Sequence, residues 1–507
     1  MKTDKHAHSI RQHFTKEAML EVPQIRPAET GHRKALGQLG AYGVNSLTQA
    51  GAYCRSKRIG IAGYYGVGNL GDETVVAILI HKIREYYPNA EIAGFSLNPV
   101  DTAGRHGIEA FHIRGQNEVG SLRSSPPPPR LDVKPSLLSR LKQLLKKCPV
   151  LFKPLKGLKI CFWDLPWALL GQLSFLRRSF CRLQGFDLLI VPGSGALTDW
   201  WGGAWVHPYS FLSWGFLAKM TRTKVIALSI GAERLNTRLG KTFCKWFLTM
   251  AHYRSFRDRS SRDSMEALGL KGDNPVFPDQ GFALLSVLGC NPPASSQTEC
   301  QQPSAGLIVG VSPIDKRTCV AEGQDDSWYN RYIESLSAFL LRLIQKEYRI
   351  AFCPTDKRDA LCVQQIIDNI TAACPHIDVA RRIIQDPIAT MEGLIARMQL
   401  CDLIIASRFH GVVLPLALKK PVLAISAYSK KIGDVMFQCG QADFHLGMNE
   451  ADLEHMIRVF QALEQNRHAI AEHLESIVWG LRARLDRQYE EVFGRFEQAC
   501  NGQQSPP

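Results

Sequence analysis

The sequence predicts an α/β protein built from two doubly wound, Rossmann-like domains that face one cleft. Three observations predict this. From residue 58 onward, short apolar runs alternate with helical patterns, as they do when a parallel sheet is joined by crossover helices. The alternation occurs twice, on either side of a stretch at 291–304 rich in Pro, Ser and Gln. At 507 residues the chain is also too long for a single core and suits two domains with attachments.

The first half reads as strand 58–63, helix 73–87 and strand 90–95. Beyond a basic insertion at about 114–182 come strand 187–191, helix 209–221, strand 224–230 and helix 239–251. Strand 253–256, helix 261–268 and a short strand at Val276 complete it. The second half reads as strand 306–311, helix 328–347, strand 349–352 and helix 357–369. Helix 388–399, strand 403–406, helix 409–418 and strand 421–425 follow. These runs define an N-terminal domain over 57–290 and a C-terminal domain over 305–449, with 291–304 as linker. A polar helical tail at 450–507 is expected to pack back across them. Residues 1–56 read as a flexible polar leader without the apolar core of a secretory signal.

Fourteen cysteines are scattered singly, with no CxxC pair and no metal-ligand spacing. That pattern predicts buried free thiols in a reducing cytoplasm and no metal site. The formal charge of +14 is concentrated. Between 130 and 182 there are twelve Lys and Arg against two Asp, after a run of four prolines at 126–129. The apolar core of that region, 165–176, is too short to cross a bilayer. The segment reads either as a helical insertion with a solvated basic face or as a contact with an anionic membrane surface via 130–182. The second reading would put the protein at the inner face of the plasma membrane. Nucleic acid is not expected, because no recognition motif accompanies the charge.

Two loops carry most of the chemistry. The first, "GYYGVGNLGDE", joins a strand to a helix. Gly66, Gly68 and Gly71, with Asn69 between them, allow a tight turn whose N–H groups approach an anion at the helix N-terminus. Asp72 stands where a helix N-cap belongs, and is equally a candidate catalytic carboxylate. The glycine spacing matches a dinucleotide fingerprint, but no acidic residue ends the second strand, where Ser96 and Asn98 stand. In the second loop, "SRFHG", Arg408 offers a planar fork for carboxylate or phosphate. His410 can exchange a proton near neutral pH. Other strand ends add Arg257, Asp279, the turn Gly193, Ser194 and Gly195 with tryptophans beyond it, and Lys430 with Lys431. For each, a helix cap, a surface charge or core packing is the competing account.

Taken in order, "GYYGVGNLGDE", "VPGSGALTD", "FRDRSSRDSMEALG", "FPDQGFALL" and "SRFHGVVLPLALKKPVLAISAYSKK" resemble the polysaccharide pyruvyl transferase family over about 58–440. The turn "PGSG" departs from the run of three or four glycines usual there. The resemblance implies a glycosyltransferase-B-like architecture and transfer of the enolpyruvyl unit of phosphoenolpyruvate to a sugar as a cyclic ketal. It implies donor binding and catalysis by Arg408 and His410, with Lys430 as the downstream lysine. Such chemistry needs protonation at C3 of the enol, assigned to His410, and acceptor deprotonation by Asp72 or Asp279. Arg257 would help hold the donor, and no cofactor is required. The acceptor is expected to be a sugar or a lipid-linked oligosaccharide. A nucleotide-sugar-dependent glycosyltransferase of the same architecture is the alternative. A non-catalytic membrane-surface assembly protein is a more distant one.

Overall fold

A computed structural model describes residues 56–115, 165–193, 195–288, 306–319, 326–427 and 430–494. Nearly all of the expected leader, most of the basic insertion, the linker and Ser194 lie outside these residues.

The first half holds β1 (Arg58–Ala62), α1 (Leu70–Tyr86), β2 (Glu91–Ser96), α2 (Pro99–His106) and β3 (Glu109–His112). It continues through α3 (Leu165–Leu183), β4 (Leu188–Val191), α4 (His207–Thr221), β5 (Lys224–Ile230) and α5 (Arg238–Met250). It ends with β6 (Tyr253–Phe256) and α6 (Arg259–Ala267). The second half holds β7 (Ile308–Ser312), α7 (Ser327–Gln345), β8 (Arg349–Phe352), α8 (Ala360–Ala373) and β9 (Ile383–Ile384). Then come α9 (Met391–Leu400), β10 (Leu403–Ala406), α10 (Phe409–Ala417), β11 (Val422–Ser426), α11 (Lys430–Gln438) and β12 (His445–Gly447). Two further helices close the described chain, α12 (Leu453–Gln465) and α13 (Arg467–Tyr489).

Both sheets are wholly parallel and share one strand order. The first runs β3-β2-β1-β4-β5-β6 and the second β9-β8-β7-β10-β11-β12. The physical reason is legible in the strands. LLIV, LIIA and VLAIS are buried at every position, as strands covered by helices on both faces must be. In each sheet the order reverses between the first and fourth strands, and ligands of open α/β sheets bind at such points.

Several expected boundaries move for identifiable reasons. α1 begins at Leu70, three residues early, because Asn69 and not Asp72 is its N-cap. The expected helix at 357–369 splits into a 3-10 turn, Lys357–Asp359, and α8. α2 and β3 were not expected. α2 is polar with a proline in its first turn, and β3 is a short, half-buried edge strand. A two-residue strand, β9, and the edge strand β12 also lack an apolar run.

One apolar core runs from β1 and α1 of the first sheet through α10 into the second half. A second core lies between the first sheet and α3, α4 and α5. The tail ties the halves together. α12 packs on α7, while α13 returns to the first half. There Gln488 Nε2 donates to Ser255 Oγ at 2.6 Å, and Tyr87 Oη donates to the Phe493 carbonyl at 2.6 Å. Six of the eight described cysteines are buried and all eight are free. No helix among the described residues is long and apolar enough to cross a membrane.

Candidate active site

The N-termini of α1 and α10, one from each half, meet at the cleft. Gly71 permits the meeting. A Cβ at that position would lie 2.4 Å from Cβ of His410 and 2.6 Å from its Nδ1, so any larger residue would push the histidine away. Gly66 and Gly68 serve differently, supplying the positive φ values (85° and 81°) of the preceding turn. The backbone also crosses between the halves here, since Lys357 N donates to the Gly68 carbonyl at 2.9 Å.

The expectation that this loop's N–H groups cradle an anion is corrected by their partners. Gly66 N donates to the buried Glu73 carboxylate at 2.7 Å, and His106 braces the other oxygen at 2.9 Å. Gly71 N and Asp72 N both point at Oδ1 of Asn69. These amides are used to hold the turn. Asp72 is thereby freed from capping: Asn69 Nδ2 donates to one of its oxygens at 2.7 Å, and the other lies 3.6 Å from His410 Nδ1.

His410 sits between two carboxylates. Its Nε2 is 3.9 Å from Asp279 Oδ1, beyond hydrogen-bond range, and is buried with no hydrogen bond. Burial pushes the imidazole down to about 4, with Arg257 and Lys431 assisting and Asp279 opposing. Burial also pushes the Asp72 carboxyl up to about 7, with Glu73 and Asp356 adding to it and Arg257 opposing. Near neutral pH the imidazole is therefore neutral, and Asp72 is the group of the pair that takes up and releases a proton. The sequence points to His410 as the group that exchanges a proton near neutral pH; in the fold burial takes His410 below that range and lifts Asp72, buried among carboxylates, into it.

The cations divide into two kinds. Arg408 is committed: Nε and Nη2 donate to the fully buried Asp359 at 2.9 and 2.6 Å, with Asp356 behind at 3.7 Å. The open fork expected of Arg408 is thus filled by a carboxylate of its own half. Arg257 is loosely held. Its guanidinium lies 4.1 Å from the Phe409 ring centroid, and Nη1 reaches Asp279 at 3.4 Å. Its Nε is buried without a hydrogen bond. Lys431 lies over the same ring at 5.4 Å and pairs with Glu233 at 2.5 Å. Lys430, the lysine singled out in the sequence, is exposed, so the neighbouring side chain is the one that enters the cluster. Phe409, Glu233, Asp356 and Asp359 were missed by sequence reasoning. The only signal available was that each follows a strand.

Ser407 is buried against Tyr332, 2.8 Å between the hydroxyls, and does not cap α10, which has no side-chain cap. Asp279 accepts from Gly281 N at 2.9 Å as well as from Arg257. In the glycine turn, Gly193 packs against the β5 backbone, where a Cβ would lie 2.5 Å from the Ser229 carbonyl oxygen. Its smallness serves sheet packing. Gly195 faces Arg257, whose Nη2 would be 3.6 Å from an added Cβ. Trp200 stacks under Arg234 and Trp201 under Arg358, the latter contact joining the two halves.

A second cluster lies at the same end of the first sheet. The Tyr64 ring stacks on His207 at 3.5 Å, and the guanidinium of Arg114 is 5.5 Å from the Tyr64 ring centroid. Arg114 Nε and His207 Nδ1 are both buried without a hydrogen bond. Burial, then Arg114, push the His207 imidazole down to about 3. Elsewhere, a cavity of about 450 Å³ lies between α1, α2 and the start of α9, on the far side of Glu73 from His410. No group of three or more His, Cys, Asp or Glu among the described residues is arranged to hold a metal.

A family model described as polysaccharide pyruvyl transferase matches residues 69–427. No curated protein matches the chain. Among solved structures, a putative UDP-N-acetylglucosamine 2-epimerase from Listeria monocytogenes is similar at a TM-score of 0.52 and 9% identity, over 88% of this chain and 98% of that one. The S. aureus MnaA–UDP structure gives 0.49 at 10% identity, over 82% and 91%. A glycosyltransferase from Rickettsia africae gives 0.45 at 11% identity, over 88% and 99%. At such identities the likeness is one of fold, the two-domain arrangement of glycosyltransferase-B-type enzymes and epimerases.

Proposed function

The chain belongs to the polysaccharide pyruvyl transferase family, and from that premise we propose that it transfers the enolpyruvyl unit of phosphoenolpyruvate to a sugar as a pyruvate ketal, in bacterial surface or exopolysaccharide biosynthesis. The observation that carries this reading is His410, held by Gly71 between Asp72 and Asp279, with the under-used donors of Arg257 beside it.

In this reading the donor's phosphate and carboxylate lie against Arg257, Lys431 and the uncapped N-terminus of α10. Carboxylates outnumber cations around His410, so a multiply charged anion is better accepted when Asp72 carries a proton. The donor's charge then favours the imidazolium, and the proton passes from Asp72 through His410 to C3 of the enol. C2 becomes oxocarbenium-like and is attacked by a sugar hydroxyl, whose proton leaves to Asp279 or to the ionised Asp72. Phosphate departs with its bonding electron pair, and a second hydroxyl closes the ring, its proton leaving with phosphate. Arg408 serves mainly to fix the loop that carries His410; it meets the donor only if a donor oxygen exchanges with Asp359. The acceptor would enter past Gly195 and the Tyr64–His207 pair.

The test is incubation with phosphoenolpyruvate and candidate glycans, following phosphate release and an acid-labile mass gain on the sugar. Both together support the proposal. Release of a nucleoside diphosphate from a nucleotide sugar, with phosphoenolpyruvate inert, would replace it with glycosyl transfer.

A further inference from the structure

The helices on one face of the first sheet form a layer unlike any other in the molecule. α4 packs between α3 and α5, and the inner sides of all three cover the second core. A helix packed on a sheet ordinarily turns a mixed charged surface to water. These three do not. Their sequences contain seven Lys and Arg and not one Asp or Glu. α1, by contrast, carries Asp72, Glu73 and Glu85 beside Lys82 and Arg84.

The outer side of the layer is apolar as well as basic. Leu170 and Leu173 on α3, Phe216 and Met220 on α4, Trp246 on α5 and Trp205 just before α4 are each more than half exposed. Their spacings of three and four residues set each pair on one side of its helix. Arg177, Arg178 and Lys219 are exposed among them. Leu239 is a further exposed apolar side chain on α5, and the remaining large ones among the described residues sit singly on separate helices. A contiguous apolar face of this kind marks a contact with something that is not water.

We propose that the outer face of α3, α4 and α5 docks on an anionic phospholipid bilayer. Charge decides between occupants. A second copy of this chain would bring cation against cation, whereas an anionic headgroup layer complements exposed Arg177, Arg178 and Lys219 and accepts tryptophan, phenylalanine and leucine below them. None of these helices need cross the bilayer. The face begins at the cleft end of the sheet, because Trp205 packs on Tyr209 and Phe243 at the start of the layer, next to the stacked His207. A polymer anchored in the same bilayer would thus present its sugars at the mouth of the cleft. The described part of the basic segment, α3, supplies only one third of the surface, and α4 and α5 lie outside that segment altogether.

The experiment is flotation of the full chain with phosphatidylcholine vesicles, with and without phosphatidylglycerol. Binding is expected only to the anionic vesicles and should weaken with added salt. The variant Phe216→Ser/Met220→Ser/Trp246→Ser and the variant Arg177→Glu/Lys219→Glu should each lose about tenfold or more. Both should unfold at the same temperature as the parent, which separates lost docking from lost folding. Wild-type binding that both variants retain would overturn the proposal. So would absence of binding together with a dimer, in light scattering, that the first variant dissolves. Neither readout depends on the reaction catalysed, so this inference and the assignment of pyruvyl transfer can fail separately.

Discussion

Two arginines flank His410, Arg257 buried and Arg408 partly so, and are held in opposite ways. Arg408 has its fork filled by Asp359, with Asp356 behind. Arg257 has only long contacts to carboxylates, 3.4 Å to Asp279 and 3.5 Å to Asp258, an aromatic ring against its face and a buried Nε with no hydrogen bond. The difference teaches how to tell a strut from a receptor. A cation saturated by a buried carboxylate is part of the scaffold, and removing it strands a charge. A cation whose donors are only partly used retains capacity for a ligand anion.

The histidine between them gives the largest expected effect. His410→Gln should lower turnover by about a thousandfold while the melting temperature stays within a few degrees, because only the proton route is removed. Near-normal turnover in a folded variant would reject the acid role. Arg408→Ala should next cost about 3–5 kcal/mol in denaturant unfolding, since Asp359 is left buried and unpaired. A loss below about 1 kcal/mol would erase the distinction drawn between the arginines. Arg257→Ala should do the reverse. It should weaken phosphoenolpyruvate binding by roughly 30-fold, about 2 kcal/mol, in a titration or as a raised KM. Its cost to stability should be smaller than that of Arg408→Ala, because the contacts of Arg257 to Asp279 and Asp258 are long, at 3.4 and 3.5 Å, where those of Arg408 to Asp359 are 2.9 and 2.6 Å.

The smallest effect concerns pH. The Asp72 carboxyl is raised to about 7 by burial, then Glu73 and Asp356, so the folded chain binds a proton that the unfolded chain has released. Stability from this group is therefore greatest at low pH and declines as pH rises from about 4 to about 7. Asp72→Asn should gain on the wild type across that window by about 1–3 kcal/mol, with melting curves differing by a constant amount above it. A difference that did not change with pH would mean that Asp72 titrates normally.

How much of this was readable beforehand depends on what each feature is made of. β10 falls on the expected residues because a buried strand writes its whole length in apolar letters. The meeting of Gly71 with His410 was not readable, although both were singled out, because it is a distance between halves. Nor was the filling of Arg408's fork, whose partner stands forty-nine residues earlier. Asp72 was the expected cap and Asn69, three residues earlier, is the actual one, a choice that only the backbone decides. Lys430 and Lys431 differ by one step of helix phase, which depends on where α11 starts. Where chemistry rests on pairing and phase, a linear pattern names the neighbourhood and leaves the address open.

The hydrogen bond from Lys357 to the Gly68 carbonyl and the contact of Gly71 with His410 share one seam. A hinge motion that widened the cleft here would part that seam, and parting it would take Asp72 away from His410. The open form of this molecule is thus disarmed by its own geometry. Under the proposed transfer, water that enters while substrates exchange would meet a donor whose C3 is unprotonated and whose C2 is not yet electrophilic, so the joint that gathers the two halves would also guard the donor from being wasted.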